Sequence, residues 1–145
     1  SFRFHIGLAK RLGKTLVVHD RDSHDDVLRI LDDEGHPDVV VLHCFSGDAD
    51  FARAASERGW YLSFSGVLTF KNAAELREAA AVVPEERLLV ETDAPFLTPV
   101  PFRGKPNAPY LVPLTVRGLA EVRDLDVAQL CRTLYANSTR AFGPL

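Results

Sequence analysis

The stretch Leu88-Leu89-Val90-Glu91-Thr92-Asp93-Ala94-Pro95 runs from an apolar β-strand directly into two carboxylates and a proline. Side chains alternate between the two faces of a strand, so Glu91 and Asp93 are expected on the same side. A buried carboxylate without a partner is strongly unfavourable. The pattern therefore predicts that a positively charged group faces Glu91 and Asp93.

Two earlier apolar segments also end in a residue that can bind a metal ion. One runs through Val17 and Val18 to His19, and the other runs from Val39 to His43. The carboxyl ends of parallel strands are where α/β proteins place their sites. The predicted strands lie near residues 15–19, 39–43, 60–64 and 87–91, with helical patterns between them.

Four units of strand and helix have two ways to arrange themselves. They form either a small open sheet or four of the eight units of a TIM (β/α)8 barrel, which needs about 250 residues. The polar ends of several strands favour the barrel, because closure brings them to one point. We therefore predict one α/β domain over residues 1–145, a partial TIM barrel.

Capping signals mark the helix ends. Ser23, Asp48 and Asp126 are typical N-caps, and Gly13 is a typical C-terminal cap of a first helix over 2–12. Residues 94–113 contain six prolines and are predicted to form a stiff loop.

Composition predicts a soluble protein that acts in the cytoplasm without a membrane partner. With 46% hydrophobic and 26% charged residues the chain is ordinary for a globular domain. No apolar run approaches the roughly 20 residues of a membrane span, and the first residues lack a signal-peptide pattern. Cys44 and Cys131 form no metal-binding pair. The net charge of -3 opposes broad capture of nucleic acid, although a local basic patch or bound cation attracts phosphate.

Five motifs follow one another along the chain. They are His19-Asp20-Arg21-Asp22, Leu42-His43-Cys44-Phe45-Ser46-Gly47, Leu62-Ser63-Phe64-Ser65-Gly66, Glu91-Thr92-Asp93-Ala94-Pro95 and Arg103-Gly104-Lys105-Pro106-Asn107. In order and spacing they resemble the TatD family of metal-dependent deoxyribonucleases, which are amidohydrolase-like TIM barrels. The resemblance covers essentially the whole chain and implies that it is the C-terminal half of such a protein.

The resemblance implies a site that hydrolyses DNA with divalent metal ions. His19 and His43 would bind one ion, and Asp93 would bind a second or handle the attacking water. Glu91 would be a supporting catalytic acid and is a candidate to fix a histidine tautomer. Zinc or manganese suits these ligands, magnesium less so. Two ions about 3.5 to 4 Å apart would clamp a phosphodiester.

The basic residues are expected to bind the substrate. Arg103 and Lys105, with Arg21 or Lys71 as helpers, would position phosphates from the rim of the site. The expected partner is DNA, as a single strand or at its ends. The remaining histidines, His5, His24 and His36, are expected on the surface.

The sequence leaves three questions open: whether the chain is active, what it pairs with and which reaction it catalyses. The family's His-x-His pair and bridging glutamate are absent, so the chain is either half of an enzyme or an inactive half-barrel. Four strands would leave two open edges, which predicts pairing with a missing N-terminal half or self-association. Hydrolysis of a small cyclic amide or ester is an alternative reaction, because related barrels polarise carbonyl groups with similar ions.

Overall fold

Four parallel strands pair in the order in which they occur in the sequence. The computed structural model describes residues 1–144, so Leu145, the last residue of the predicted domain, lies outside the described residues. The elements are α1 (Phe2–Leu12), β1 (Leu16–His19), α2 (His24–Glu34), β2 (Val40–His43), α3 (Ala49–Glu57), β3 (Tyr61–Phe64), α4 (Ala74–Val82), β4 (Leu88–Val90), α5 (Val112–Arg123) and α6 (Val127–Phe142). Short 3₁₀ turns occupy Gly66–Thr69, Glu85–Arg87 and Pro109–Leu111.

The strand register brings the predicted site residues to one edge of the sheet. His19 of β1 is the direct partner of His43 of β2, and Phe64 of β3 pairs with Val90 of β4. Each predicted strand is present within one residue at its start. The predicted alternation of strands and helices is confirmed, and β4 ends at Val90, one residue before Glu91.

Most of the capping signals act as expected. Asp48 accepts a hydrogen bond from the backbone N–H of Phe51, and Asp126 accepts one from that of Gln129, each over 2.8 Å. Gly13 closes α1 in the left-handed conformation, with φ of 58°. Ser23 does begin α2, but its hydroxyl donates to the Arg21 carbonyl instead of capping the helix.

Side chains alternate between the two faces of the sheet, and a separate apolar cluster lies on each face. One face of the sheet packs on the helices and buries large apolar residues, among them Leu31, Trp60, Phe64, Leu119 and Leu130. On the other, concave face, Val41, Tyr61 and Leu89 pack with Ala141 near the end of α6. Helix α6 therefore begins against the main core and ends on the concave face.

The two outer strands are unpaired on one side within residues 1–144. There, β1 pairs only with β2 and β4 pairs only with β3. Val17, on the concave face of β1, is 53% exposed although it lies within the strand. No helix in this part of the chain combines the length and the apolar character needed to cross a membrane.

Candidate metal centre

The candidate centre is built around His43, the last residue of β2. Its Nδ1 lies 2.6 Å from Oε1 of Glu91, and the other oxygen of Glu91 accepts the backbone N–H of Cys44 over 3.1 Å. A carboxylate only accepts hydrogen bonds, so Nδ1 of His43 is the donor in this contact. In the neutral form of the imidazole the lone pair is then on Nε2, the nitrogen that faces Asp93.

Asp93 completes the group from the other side of the imidazole. Its Oδ1 lies 3.6 Å from Nε2 of His43. The strand has already ended, and Asp93 reaches this position through a left-handed backbone conformation with φ of 56°. Glu91 and Asp93 thus lie on the same side of the chain, as expected. A turn after β4, in addition to the alternation of side chains along the strand, brings them there.

The donor set suits a divalent ion. One donor atom from each of His43, Glu91 and Asp93 lies within 4.8 Å of the others, and across residues 1–144 no other group of three such residues is as close. A separation of 3.6 Å between an imidazole nitrogen and a carboxylate oxygen is compatible with two ligands of one ion. Because both oxygens of Glu91 already accept hydrogen bonds, we assign Glu91 to orienting His43.

His19 lies beside this group. Its ring centroid is 5.7 Å from that of His43, with the planes tilted by 40°. The side chain is exposed at the carboxyl edge of β1. The structure therefore brings all four predicted residues, His19, His43, Glu91 and Asp93, to one edge of the sheet.

A cavity of about 370 Å³ opens beneath the acids on the concave face. Its apolar floor includes Val41 and Leu89, and Ser138 and Phe142 of α6 form a wall. Glu91 and Asp93 line the polar end. This gives a pocket with an apolar base and a small polar group, which is typical of sites for small groups of a substrate.

Cys44 supports the centre through its backbone. It adopts a left-handed conformation with φ of 45°, which directs its N–H to Glu91. Burial raises the pKa of its thiol, and the nearby charges of Glu91 and Asp93 raise it further, against the lowering effect of the hydrogen bond to Ser65. The thiol is therefore protonated at neutral pH and behaves as a small, partly buried side chain.

The predicted substrate-binding cations occupy rim loops, not the His43 group itself. The guanidinium of Arg103 stacks 3.7 Å from the ring centroid of Phe70, and Nζ of Lys105 lies 5.8 Å from that of Phe102. Arg21 is exposed in the loop that follows β1.

Sequence reasoning missed two features near the centre. His24 was expected on the surface, but it is part-buried: its Nδ1 pairs with the carboxylate of Asp20, and its ring stacks on Phe51 at 4.4 Å. The spacing of four residues from Asp20 to His24 across the start of α2 was the available signal. The other feature is the buried amide of Asn107, for which the sequence offers only its place in the Arg103-Gly104-Lys105-Pro106-Asn107 motif.

A parallel α/β sheet with imidazole and carboxylate groups at its carboxyl edge is the arrangement typical of metal sites in barrel-type α/β proteins. A family profile described as "TatD related DNase" matches residues 1–143. The chain belongs to this family, and the resemblance found in its motifs is confirmed.

Two similar proteins are described as metal-dependent hydrolases. The chain is 51% identical over 143 residues to "Uncharacterized metal-dependent hydrolase TatD" of Mycobacterium tuberculosis, covering 99% of this chain and 54% of that protein. It is 44% identical over 143 residues to "Uncharacterized metal-dependent hydrolase YcfH" of Escherichia coli K12, covering 98% of this chain and 54% of YcfH. The chain thus spans about half the length of these relatives.

Solved structures support the fold. The crystal structure of YjjV, a TatD homologue from E. coli K12, superposes with a TM-score of 0.91 at 29% identity, covering 97% of this chain and 54% of YjjV. A TatD-family hydrolase from Entamoeba histolytica superposes with a TM-score of 0.85 at 17% identity, covering 99% of this chain and 56% of that one, and supports the fold alone. The prediction of a TatD-type partial barrel is confirmed.

Proposed function

We propose that this chain forms part of a metal-dependent hydrolase that cleaves phosphodiester bonds of DNA. The observation that carries the proposal is the contact of one imidazole, His43, with two carboxylates, Glu91 and Asp93, beside a second imidazole from the neighbouring strand. Such a cluster at the carboxyl edge of parallel strands is suited to binding a divalent cation. The description of the family as TatD-related DNases supports DNA as the substrate.

Each residue has a distinct role in this proposal. His19, His43 and Asp93 hold divalent ions, two in the complete enzyme, with zinc, manganese and magnesium as the candidates. Glu91 keeps the Nδ1 proton of His43 in place, so that Nε2 faces the ion. When bound, such ions lower the pKa of a water molecule and stabilise the charge that develops on the phosphate and the leaving oxygen. Asp93 is also the group placed to handle the attacking water, and Glu91 supports catalysis through His43.

The rim cations are proposed to bind the DNA backbone. Arg103 and Lys105 lie in the loop that begins directly after Asp93, and Arg21 lies two residues after His19. Arg103 is held over the ring of Phe70, which limits its freedom before a phosphate arrives. Preorganised cations of this kind position a strand without reading its sequence. The proposed substrate is a single strand or the end of a DNA duplex.

We further propose that the chain works with four additional strands. The free sides of β1 and β4 offer backbone groups for pairing. Exposed apolar side chains accompany those strands, including Val17 on β1 and Phe96 just after β4. The relatives are about twice as long as this chain, so the proposed partner is the remainder of a TatD-type barrel, with a second copy of this chain as the alternative.

The proposed location is the cytoplasm. The free cysteines Cys44 and Cys131 suit a reducing compartment, which supports this location.

One experiment tests the function and the partner together. Hydrolysis of labelled single-stranded DNA is measured with Mn²⁺ or Zn²⁺, using the chain alone and the chain mixed with the complementary segment. This segment is the part of the 51%-identical M. tuberculosis relative that the chain does not match. We expect hydrolysis in the mixture and its loss in His43→Ala and Asp93→Ala, with His36→Ala, a histidine at the opposite end of the strands, as the control. Hydrolysis of a cyclic amide but not of DNA would favour the small-molecule reaction. Absence of both activities in a folded complex would favour the inactive half-barrel.

A further inference from the structure

A buried amide holds together the loop that carries Asp93. Asn107 is only 6% exposed. Its Nδ2 donates to the carbonyl oxygens of Thr92 and Phe96, each over 2.7 Å, while its Oδ1 accepts the N–H of Ala108 over 2.9 Å. Its backbone N–H donates to the carbonyl of Pro95 over 2.9 Å. All the polar groups of this side chain are therefore used within the loop.

The two carbonyls that Asn107 binds lie on either side of Asp93. Thr92 precedes Asp93, and Phe96 closes the turn by donating its N–H to the Asp93 carbonyl over 2.9 Å. Asp93 itself has φ of 56°, a conformation that is unfavourable for a residue with a side chain and persists only when its surroundings hold it. The hydrogen bonds of Asn107 are the contacts that fix the backbone at both ends of this turn.

Few side chains could replace Asn107. Binding two carbonyl oxygens from one atom requires an NH₂ group, which aspartate lacks, and a serine hydroxyl offers a single donor on a shorter side chain. Glutamine has the right group, but an additional methylene would displace it in a buried space.

We propose that Asn107 is a positioning residue that sets the carboxylate of Asp93 opposite Nε2 of His43. This inference rests on the proposed function, because it concerns the binding of a divalent ion at that carboxylate. Asn107 does not touch the ion or the substrate. It acts through the backbone on either side of Asp93. Loss of its amide lets the turn relax, and Asp93 then leaves the position from which it faces His43.

The chain contains a matched control at the other end of the same strand. Asn137 of α6 is also buried, and its Nδ2 donates to the carbonyls of Glu85 and Leu88 over 2.7 and 2.8 Å. Its Oδ1 accepts a hydrogen bond from Arg140. Asn137→Ala removes the same number of side-chain hydrogen bonds to carbonyls as Asn107→Ala, but at the start of β4, away from Asp93.

The experiment compares the two variants in the folded state. Circular dichroism first identifies a temperature at which wild type, Asn107→Ala and Asn137→Ala are all folded. Amide hydrogen exchange of Phe96 and calorimetric titration with Mn²⁺ are then measured at that temperature. We expect Asn107→Ala to speed exchange of the Phe96 amide at least about tenfold and to weaken Mn²⁺ binding about 10- to 100-fold, the range typical of residues that support metal ligands. Asn137→Ala should leave both values near wild type.

The outcomes separate this inference from the proposed function. Unchanged protection of the Phe96 amide in Asn107→Ala would overturn the positioning role, whether or not Mn²⁺ binds. Equal weakening of Mn²⁺ binding in both variants would also overturn it, since that result indicates a general loss of stability. If the wild-type chain, alone and with the complementary segment, binds no Mn²⁺, the proposed function fails, while the exchange measurement still decides whether Asn107 holds the turn.

Discussion

At the residue scale, the two ring nitrogens of His43 have different roles because they face different acids. Nδ1 donates to Glu91 and Nε2 faces Asp93. Glu91 is itself held by the Cys44 amide, so rotation of the imidazole would break its hydrogen bond to a fixed carboxylate. The tautomer required for coordination through Nε2 is thus imposed by the protein before an ion arrives.

Replacing Glu91 by glutamine tests this assignment. A glutamine has the same shape, but its NH₂ group must face either the Nδ1–H of His43 or the Cys44 N–H, and both are donors. We expect Glu91→Gln to shift the His43 tautomer and to weaken Zn²⁺ or Mn²⁺ binding by roughly 10- to 100-fold. Titration calorimetry and ¹⁵N chemical shifts of the imidazole measure the two effects.

Glu86→Gln provides the control for this change. Glu86 lies exposed on the turn before β4, so its substitution removes the same charge without touching His43. If Glu91→Gln and Glu86→Gln bind Zn²⁺ or Mn²⁺ with equal affinity, Glu91 does not orient His43.

The individual residues also show what the sequence could and could not predict. His43, Glu91 and Asp93 were predictable because their types stand at or just after strand ends, where the topology brings them together. Asn107 was not, because its importance depends on which carbonyls a folded loop places around its amide. Similarly, the part-burial of His24 depends on Phe51, a residue of the next helix that no local pattern connects to it.

At the element scale, a glycine allows the proline-rich loop to rest on the turn after β3. A Cβ atom on Gly66 would lie 2.2 Å from the carbonyl oxygen of Leu97 and 2.9 Å from the nitrogen of Pro99. Both of these atoms belong to the backbone and cannot move aside cheaply. The loop between Asp93 and α5 therefore packs directly against Gly66 and is also held by the hydrogen bonds of Asn107.

Substitution of Gly66 by alanine should destabilise the fold. We expect a loss of about 1 to 3 kcal/mol in the free energy of unfolding, the usual cost of overpacking. Gly7→Ala is the contrasting variant, since a Cβ at this position of α1 meets nothing within 4 Å. That change should stabilise the protein by up to about 1 kcal/mol through helix propensity. Chemical denaturation of both variants provides the measurement, and equal effects would contradict the role of Gly66.

Helices α2 and α3 are linked by a salt bridge whose strength should depend on pH. Arg58, at the end of α3, donates from Nε and a terminal nitrogen to the two oxygens of Asp32 over 2.8 and 2.6 Å. Hydrogen bonding to Arg58 lowers the pKa of the Asp32 carboxyl, against a smaller opposing effect of burial. The folded state therefore binds the Asp32 proton less readily than the unfolded state does.

The sign of the effect follows from this shift. The stabilisation is complete above the unfolded pKa of aspartate, about 3.9, and it is lost as pH falls through the lower pKa of the folded state. Because both side chains are partly exposed, we expect no more than about 1 kcal/mol between wild type and Asp32→Asn at pH 6. Urea denaturation at pH 6 and near pH 2 measures this difference. A difference that persists at pH 2 would contradict the salt bridge as its source.

The elements themselves were largely readable from the sequence, for physical reasons. Strands such as Val40–His43 are short apolar runs, and Asp48 and Asp126 satisfy free N–H groups at helix starts. The course of α6 was not readable, because its sequence gives only one apolar face. Which part of that face meets the main core and which part, at Ala141, meets the concave face depends on the sheet.

At the scale of the whole molecule, the concave face remains incomplete. Val17 is half exposed there, whereas Val41 and Leu89 on the same face are buried. The difference arises because Ala141, near the end of α6, packs on Val41, Tyr61 and Leu89 of β2, β3 and β4, whereas Val17 of β1 lies outside this cluster. Exposed apolar area beside an unpaired edge favours association with another chain.

An aspartate at Val17 should block that association without unfolding the chain. We expect wild type to self-associate at micromolar concentration or to form a 1:1 complex with the complementary segment, and Val17→Asp to weaken either by at least about tenfold. Sedimentation velocity measures the effect. Val100→Asp, a comparable change at an exposed position in the proline-rich loop, should associate like wild type. A wild-type chain that stays monomeric and does not bind the complementary segment would contradict the prediction.

The strand order has a consequence for how the protein is made. Each strand pairs with the next one along the chain, so every step of sheet formation closes a loop of only about one βα unit. Closing a loop of this length has a lower entropic cost than joining strands that are several βα units apart. Each of the strands β2, β3 and β4 can therefore pair with the strand before it soon after it leaves the ribosome.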